Sequence, residues 1–103
     1  TPRGAGPGQG PMYVVVVYDV TEDDVRNKVA ETLKAFGLAR VQKSAFIGRL
    51  PPALVKELAE RLRRVIRNAN ADIIILKIDK RTLDTMIRIG SIPPPRHDGP
   101  ALH

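Results

Sequence analysis

The sequence contains no cysteine, which excludes disulfide bonds, thiolate metal sites and a cysteine nucleophile. Aromatic residues are also scarce, because two tyrosines, two phenylalanines and no tryptophan make up 4% of the chain. No apolar run approaches the roughly 18 residues that a membrane-spanning helix needs, and no segment has the pattern of a signal peptide. We therefore expect a soluble, cytoplasmic protein.

Positive charge is in clear excess over negative charge. Seventeen Lys and Arg residues are set against eleven Asp and Glu residues, which gives a formal net charge of +6 and a pI of about 10.2. This excess favours an anionic partner, and nucleic acid is a stronger candidate than an acidic protein or a membrane surface. With 103 residues, the chain is long enough for one domain with a modest core and too short for two.

Glycine and proline are concentrated near the two ends of the sequence. Residues 1–11 have almost no apolar side chains, and residues 91–103 contain three consecutive prolines and scattered charges. Such segments bury too little apolar surface to offset the entropy lost on ordering. The sequence therefore predicts flexible tails at 1–11 and 91–103 on either side of a single domain at 12–90.

The strongest pattern is an unbroken apolar run, Met12–Tyr18, that ends at Asp19. Most of its residues are β-branched, which is typical of a strand buried on both faces. Residues 72–78 contain a second run of the same kind. Asp19 also begins an acidic group that continues at 22–24, in an otherwise basic protein. Its carboxylate either ends the strand and helps to cap the next helix or belongs to a functional site.

Two segments show the apolar spacing of amphipathic helices. In the first, Thr21 is the predicted capping residue and Gly37 ends the helix. The second begins at Pro51 and Pro52, because proline is tolerated in a first helical turn. Its outer face predicts ion pairs between side chains four residues apart, which favours a structural role for these arginines over nucleic-acid contacts. The predicted pairs are Glu57 with Arg61 and Glu60 with Arg64.

The remaining segments complete the predicted architecture. Residues 38–50 indicate one bent strand or two short strands that meet near Ser44, with Gly48 as the predicted bulge. Residues 80–84 form a polar connection, and the alternation in 85–90 predicts a short last strand. The order of elements is that of an α+β, ferredoxin-like βαββαβ sandwich with an extra short C-terminal strand. Both helices would cover one face of its sheet.

Nothing in the chain remains to cover the second face of this sheet. The two central strands are apolar at nearly every position, so an uncovered face would expose a large apolar surface. We therefore expect a homodimer that stacks through its sheets with two-fold symmetry, and the last strand is a candidate to pair with the other protomer. Two Asp19 side chains near the axis could share one Mg²⁺, which needs only one or two carboxylates.

Four motifs follow one another along the chain: Tyr18-Asp19-Val20, Arg26-Asn27-Lys28-Val29-Ala30, the segment from Gly37 to Gly48, and Ile87-Arg88-Ile89-Gly90. As an ordered set they resemble the CRISPR-associated protein Cas2 family, the small endonucleases of the CRISPR spacer-acquisition module. The resemblance spans residues 12–90 and leaves both tails outside. It implies a ferredoxin-like homodimer, metal-dependent phosphodiesterase activity, a role in antiviral defence and association with the CRISPR integrase Cas1 on duplex DNA.

The resemblance also implies roles for particular residues. It makes Asp19 the catalytic and metal-binding position, with Mg²⁺ or another divalent cation as cofactor. It places six further residues in or near the nucleic-acid cleft. These are Tyr18, Arg26, Lys28, Arg40, Ser44 and Phe46. The chain departs from the family pattern where Ile47 and Arg49 replace commonly acidic residues, and this leaves Asp19 more alone as a ligand.

The candidate residues also have structural interpretations. Tyr18 and Phe46 are as well suited to the core or to an interface, and Arg26 and Lys28 suit a solvated helix flank. Lys28 stands where relatives often carry arginine, so the planar fork that binds phosphate through two hydrogen bonds is lost there. Arg40, at the start of a strand, is the better candidate for contact with a nucleic-acid backbone.

Three functions remain open from the sequence. The first is a Mg²⁺-dependent endonuclease that hydrolyses phosphodiester bonds in RNA or DNA during CRISPR adaptation, with water as the nucleophile. The second is a non-catalytic dimer that holds duplex DNA for the integrase through salt-dependent backbone contacts. The third is a small regulatory ligand-binding domain, because a fold does not determine a function.

Overall fold

The computed structural model describes residues 12–90, and the tails predicted at 1–11 and 91–103 lie outside the described residues. The sheet has the strand order β2-β3-β1-β4. This topology confirms the predicted α+β, ferredoxin-like arrangement. The elements in chain order are β1 (Met12–Val20), α1 (Asp23–Ala35), β2 (Ala39–Gln42), β3 (Ala45–Leu50), α2 (Pro52–Val65), β4 (Ala71–Ile78) and α3 (Lys80–Asp84).

Strand β1 is the centre of the sheet. It pairs antiparallel with β3 on one side and β4 on the other, and Val15 lies opposite Ile47 and Leu76. Successive side chains of a strand point to opposite faces. In β1 the buried positions alternate in this way, and the face that they form packs against the two long helices.

No helix within residues 12–90 is long and apolar enough to cross a membrane.

The core lies between the sheet and helices α1 and α2. Leu33 of α1, Leu58 of α2 and Phe46 of β3 are fully buried there. Each such side chain contributes about 1.5–3 kcal/mol of burial free energy. Both long helices therefore cover one face of the sheet, as the sequence predicts. On the other face Val17 is 41% exposed and Ile74 is 51% exposed, so apolar side chains remain uncovered in the single chain.

The start of α1 differs from the prediction. The helix begins at Asp23 after Glu22, and no side chain caps it, so Thr21 is not the capping residue. The backbone N–H of Thr21 instead donates to the carbonyl of Asn70 at 3.0 Å, and the Glu22 carboxylate accepts from the Asn70 backbone N–H at 3.1 Å. These hydrogen bonds join the start of α1 to the turn before β4. They take the place of a local side-chain cap.

Residues 38–50 form two strands, β2 and β3, joined by a turn at 43–44. The irregularity in their pairing lies between Arg40 and Gln42, so the bulge predicted at Gly48 is wrong. Gly48 lies within β3, opposite Val14, and packs closely against Leu38. A Cβ atom at position 48 would lie 2.9 Å from the Leu38 Cγ and 3.0 Å from its Cα. The glycine is therefore required by a close approach of two backbones.

We expect Gly48→Ala to destabilise the fold by about 1–3 kcal/mol, because the added methyl overpacks a site where backbone must move. Urea unfolding of the two proteins measures this difference. Gly90→Ala is the matched control, since nothing lies within 4 Å of a Cβ there. Equal stability of the Gly48 variant and the wild type would contradict the close packing.

The outer face of α2 carries different contacts from those predicted. Neither predicted pair four residues apart forms, and Glu60 instead pairs with Arg63 at 2.6 Å. Side chains three residues apart are also neighbours on a helix, so both spacings compete. The guanidinium of Arg61 lies 5.9 Å from the centroid of the Phe36 ring, near the end of α1. The aromatic ring thus replaces the carboxylate predicted as the partner of Arg61.

Two predictions for residues 80–90 need correction. The polar connection at 80–84 is the short helix α3, whose start is capped by Asp79 through a 2.8 Å hydrogen bond from the Thr82 backbone N–H. The short last strand is absent, because no strand within residues 12–90 lies alongside 85–90 to supply backbone hydrogen bonds. Ile87 and Ile89 are 81% and 92% exposed there. The Arg88 side chain ties this segment to β2 through a 3.3 Å hydrogen bond to the Val41 carbonyl.

Candidate functional site

Asp19 lies near the end of β1 on the uncovered face of the sheet. Its neighbours Tyr18 and Val20 are buried on the helix-covered face, whereas Asp19 is exposed. Asp72 of β4 lies directly opposite Asp19 in the antiparallel register and is also exposed. The Cβ atoms of such opposite residues are about 4.5–5.5 Å apart. Two carboxylates therefore share this end of the uncovered face.

The pair of Asp19 and Asp72 fits a divalent cation by its donor chemistry. Like charges directly opposite on neighbouring strands destabilise a sheet, and a bound cation removes that repulsion. Mg²⁺ prefers oxygen ligands, keeps several waters and needs one or two carboxylates. Residues 12–90 contain no group of three or more His, Cys, Asp or Glu suited to holding a metal. One chain thus offers a partial ligand set rather than a closed protein cage.

The turn between β2 and β3 lies on the other side of Asp19. The backbone N–H of Tyr18 donates to the carbonyl of Ser44 at 3.0 Å, which fixes this turn beside the end of β1. Ser44 therefore lies beside Tyr18, the residue before Asp19. Lys43 precedes Ser44 in the turn and is exposed. It adds a positive charge to the end of the sheet that carries Asp19 and Asp72.

Tyr18, Phe46 and Arg40 form a cluster on the opposite, helix-covered face. The ring centroids of Tyr18 and Phe46 are 6.1 Å apart, and the Arg40 guanidinium lies 5.1 Å from the Phe46 centroid. Tyr18 is 3% exposed and Phe46 is fully buried, so both are core residues behind the strand that carries Asp19. The Arg40 Nε is buried and has no hydrogen-bond partner within the described part of the chain.

The phenol of Tyr18 stays protonated in this cluster. Burial raises the pKa of Tyr18 above its ordinary value, and the nearby charges of Arg40 and Arg26 oppose that shift with smaller effects. A raised pKa makes Tyr18 a poor base near neutral pH and keeps its hydroxyl as a hydrogen-bond donor. Its position thus supports a packing role rather than proton transfer.

Arg26 holds the connection between β1 and α1. Its Nε donates to the Val20 carbonyl at 3.3 Å, and its terminal nitrogen donates to the Thr21 carbonyl and pairs with Asp23. These bonds stiffen the chain immediately after Asp19. Lys28 is exposed on α1 and makes no ion pair with any residue in the range 12–90.

The seven residues predicted for the site fall into three sets in the structure. Asp19 and Ser44 lie together at one end of the sheet, Tyr18, Phe46, Arg40 and Arg26 lie behind or beside that end, and Lys28 belongs to neither set. Sequence reasoning missed Asp72. In the sequence, Asp72 is marked only by its position at the start of the second apolar strand. That position indicates a place beside Asp19 only once the two strands are known to be antiparallel neighbours.

The family model described as CRISPR associated protein Cas2 matches residues 12–86. A CRISPR-associated endonuclease Cas1/endonuclease Cas2 fusion from Thermoproteus tenax is 64% identical over 101 residues, which cover 98% of this chain and 38% of the fusion. The CRISPR-associated endoribonuclease Cas2 2 of Pyrobaculum aerophilum is 64% identical over 85 residues, which cover 82% of this chain and 93% of that protein.

A solved structure shows the same fold. A crystal structure described as that of cas2 superposes with a TM-score of 0.68 at 31% sequence identity. The superposition covers 85% of this chain and 98% of that chain. The agreement includes almost the whole of the other protein, so the similarity extends over its complete fold.

Proposed function

From the finding that this chain belongs to the CRISPR associated protein Cas2 family, we propose that it is a divalent-cation-dependent nuclease that hydrolyses phosphodiester bonds in RNA or DNA. The names of its relatives, endoribonuclease and endonuclease, support nuclease activity and a role in CRISPR adaptation. The single observation that carries the cation dependence is the placement of Asp19 opposite Asp72 on the uncovered face of the sheet.

We propose that the working form is a homodimer stacked through this uncovered face. Val17 lies opposite Ile74, and Leu76 follows on the same face at 51% exposure, so the apolar surface is continuous from β1 to β4. A second copy would bury that surface, which a monomer would leave in water. With the two-fold axis near Asp19, each protomer would contribute Asp19 and Asp72 to one shared site. The exposed segment 85–90 would then find a strand of the partner alongside it.

The residues of this chain have distinct tasks in such a site. Asp19 and Asp72 would hold the cation, which when bound supplies electrophilic stabilisation of a phosphoryl oxygen and a more acidic water. Asp19 is paired with β4, and the hydrogen bond from the Tyr18 N–H to the Ser44 carbonyl holds the preceding residue on the other side, so the Asp19 carboxylate is held on a rigid element. In the proposed dimer, apolar Val17 and Ile74 would limit water on one side of the carboxylates. Exposed Lys43 in the neighbouring turn would contact a phosphate of the bound nucleic acid.

A second function also has support from a specific observation. The Thermoproteus tenax relative is named as a fusion of Cas1 and Cas2, which supports Cas1 as a partner of this chain. The formal charge of +6 supports duplex DNA as a further partner. Arg64 and Arg67 of the α2 region are exposed and form no ion pair with residues 12–90. A non-catalytic dimer that holds DNA for the integrase would use this basic surface.

Cleavage of labelled single-stranded RNA and double-stranded DNA tests the two functions together. For the nuclease we expect cleavage with Mg²⁺, its loss on chelation and its return when excess Mg²⁺ is added. For the scaffold we expect DNA binding that persists through chelation and weakens as salt rises, with a slope of about −0.9 per phosphate contact in log units. Cleavage that continues unchanged under chelation would exclude the proposed cation.

Replacement of Asp72 by Asn tests its pairing with Asp19 separately from catalysis. Without divalent cations we expect the variant to be more stable than the wild type by about 0.2–1 kcal/mol, because a like-charge pair is removed. With Mg²⁺ we expect the wild type to gain stability and the variant to gain much less, because a cation stabilises only the state that binds it. Urea unfolding in chelator and in Mg²⁺ measures both effects. An equal gain from Mg²⁺ in the two proteins would exclude Asp72 as a ligand.

A further inference from the structure

The pairing of β1 with β4 continues one residue beyond the two strands. Val20 lies opposite Ala71 in the register, so the next pair is Thr21 and Asn70. A hydrogen-bonded pair in an antiparallel sheet exchanges two bonds, from each N–H to the carbonyl of the opposite residue. The Thr21 N–H donates to the Asn70 carbonyl at 3.0 Å. The Asn70 N–H instead donates to the Glu22 carboxylate, at 3.1 and 3.2 Å from its two oxygens. A side chain thus supplies one of the two acceptors of this pair.

Arg26 takes the backbone carbonyl that would otherwise accept the second bond. Its terminal nitrogen donates to the Thr21 carbonyl at 3.4 Å, and its Nε donates to the Val20 carbonyl at 3.3 Å. The Thr21 carbonyl is therefore satisfied from the side of α1. The end of the β1–β4 ladder depends on the Glu22 side chain for its last acceptor.

This pair lies two residues beyond the two carboxylates on both strands. Thr21 follows Asp19 by two positions, and Asn70 precedes Asp72 by two. Within residues 12–90, β4 is at the edge of the sheet, so its first residues pair with β1 alone. Segments held by few bonds open most easily, with free energies far below that of global unfolding. The bonds at Asn70 therefore limit how far Asp72 moves relative to Asp19.

We propose that Glu22 is a positioning residue for the carboxylate pair, which it holds in register through the Asn70 N–H. This inference rests on the proposed function, in which Asp19 and Asp72 hold the cation. The ligands of a metal must be kept within about 0.5 Å of their productive geometry, and residues outside the ligand set provide that support. Glu22 supplies an acceptor oxygen at the required reach, and it acts without touching the cation.

The test is titration of the full chain with Mn²⁺, followed by electron paramagnetic resonance of the free ion. Glu22→Gln keeps the length of the side chain and a carbonyl oxygen but loses the charge, so we expect an affinity within about threefold of the wild type. Glu22→Asp keeps the charge but is one methylene shorter, and Glu22→Ala has no acceptor. Both are expected to weaken Mn²⁺ binding about tenfold, the lower end of the range for residues that support metal ligands. The variants thus separate the reach of the side chain from its charge.

Asp79→Ala is the matched control. The Asp79 carboxylate also accepts a hydrogen bond from a backbone N–H, that of Thr82 at 2.8 Å, but it follows the other end of β4. We expect this variant to bind Mn²⁺ like the wild type. Amide hydrogen exchange in chelator provides a second measurement that needs no cation. Exchange at Asn70 and Asp72 should be faster in Glu22→Ala and Glu22→Asp than in the wild type, and unchanged in Asp79→Ala.

Each other outcome overturns the positioning role. Undiminished Mn²⁺ binding in Glu22→Ala and Glu22→Asp would exclude it and leave the cation site intact. Equal weakening in Asp79→Ala would indicate a general loss of stability, and equal weakening in Glu22→Gln would indicate that the charge acts on the cation. A wild type that binds no Mn²⁺ would overturn the proposed cation site itself, and the positioning role with it. If Glu22→Ala fails to fold, Glu22→Asp decides between these outcomes.

Discussion

Replacement of Asp19 by Asn is expected to reduce cleavage of labelled RNA and DNA by at least about 100-fold. Asparagine keeps the shape of the side chain but removes the charge that holds a divalent cation. A bound metal stabilises the transition state by several kcal/mol. Each loss of about 1.36 kcal/mol of this stabilisation slows the reaction about tenfold. Asp19 is exposed at a strand end, so we expect the fold to tolerate the change. Single-turnover cleavage with Mg²⁺ measures the loss.

Asp24→Asn is the matched control for this experiment. Asp24 belongs to the same acidic stretch of sequence, is exposed and lies in the first turn of α1 rather than on the uncovered face of the sheet. We expect it to cleave within about twofold of the wild type, because a surface charge far from the reacting group contributes little. The proposal of nuclease function is wrong if both variants cleave like the wild type, or if the wild type and both variants fail to cleave. In either case the DNA-holding dimer becomes the function to test.

Replacement of Ile74 by Lys is expected to convert the proposed dimer into a monomer. Ile74 is already 51% exposed in the single chain, so we expect little loss of monomer stability. In a stacked dimer the ammonium would be buried without a partner, and two copies would repel each other across the axis, which costs several kcal/mol. Sedimentation equilibrium should show the dimer dissociation constant rising by at least about 100-fold.

The control for this variant is Leu54→Lys on α2. Leu54 is 38% exposed on the helix side of the molecule, away from the uncovered face. We expect this protein to remain dimeric, because its new charge stays in water. If Ile74→Lys leaves the dimer intact, or if Leu54→Lys disrupts the dimer equally, the interface lies on another surface. Cleavage should fall together with dimerisation in the Ile74 variant, since the shared site needs both copies of Asp19.

Most of the fold is predictable from local patterns in this sequence. The continuous apolar runs locate β1 and β4, and the helical spacing locates α1 and α2, because burial acts on each element through its own period. Local capping was less predictable. Thr21 and Glu22 both form hydrogen bonds with Asn70, which lies 48 residues after Glu22 in the sequence. These long-range bonds replace the predicted side-chain cap of the helix, which would contribute about 1 kcal/mol.

The site was predicted only in part, for a reason that is also physical. A strand end followed by acidic residues identifies Asp19, but the cross-strand register that brings Asp72 opposite it is a tertiary property. The resemblance grouped Tyr18 and Phe46 with Asp19. Adjacent residues of a strand point to opposite faces, so the sequence already contained the information that Tyr18 and Asp19 diverge. The structure places Tyr18 in the core, where it supports the strand.

The central claim is that two protomers share one divalent cation through Asp19. Titration of the purified full chain with Mn²⁺, followed by electron paramagnetic resonance of the free ion, measures the number of cations bound per chain. We predict one cation for every two chains, with binding lost in Asp19→Asn and retained in Asp24→Asn. One cation bound by every chain, or binding that survives Asp19→Asn, would contradict a site shared across the two-fold axis.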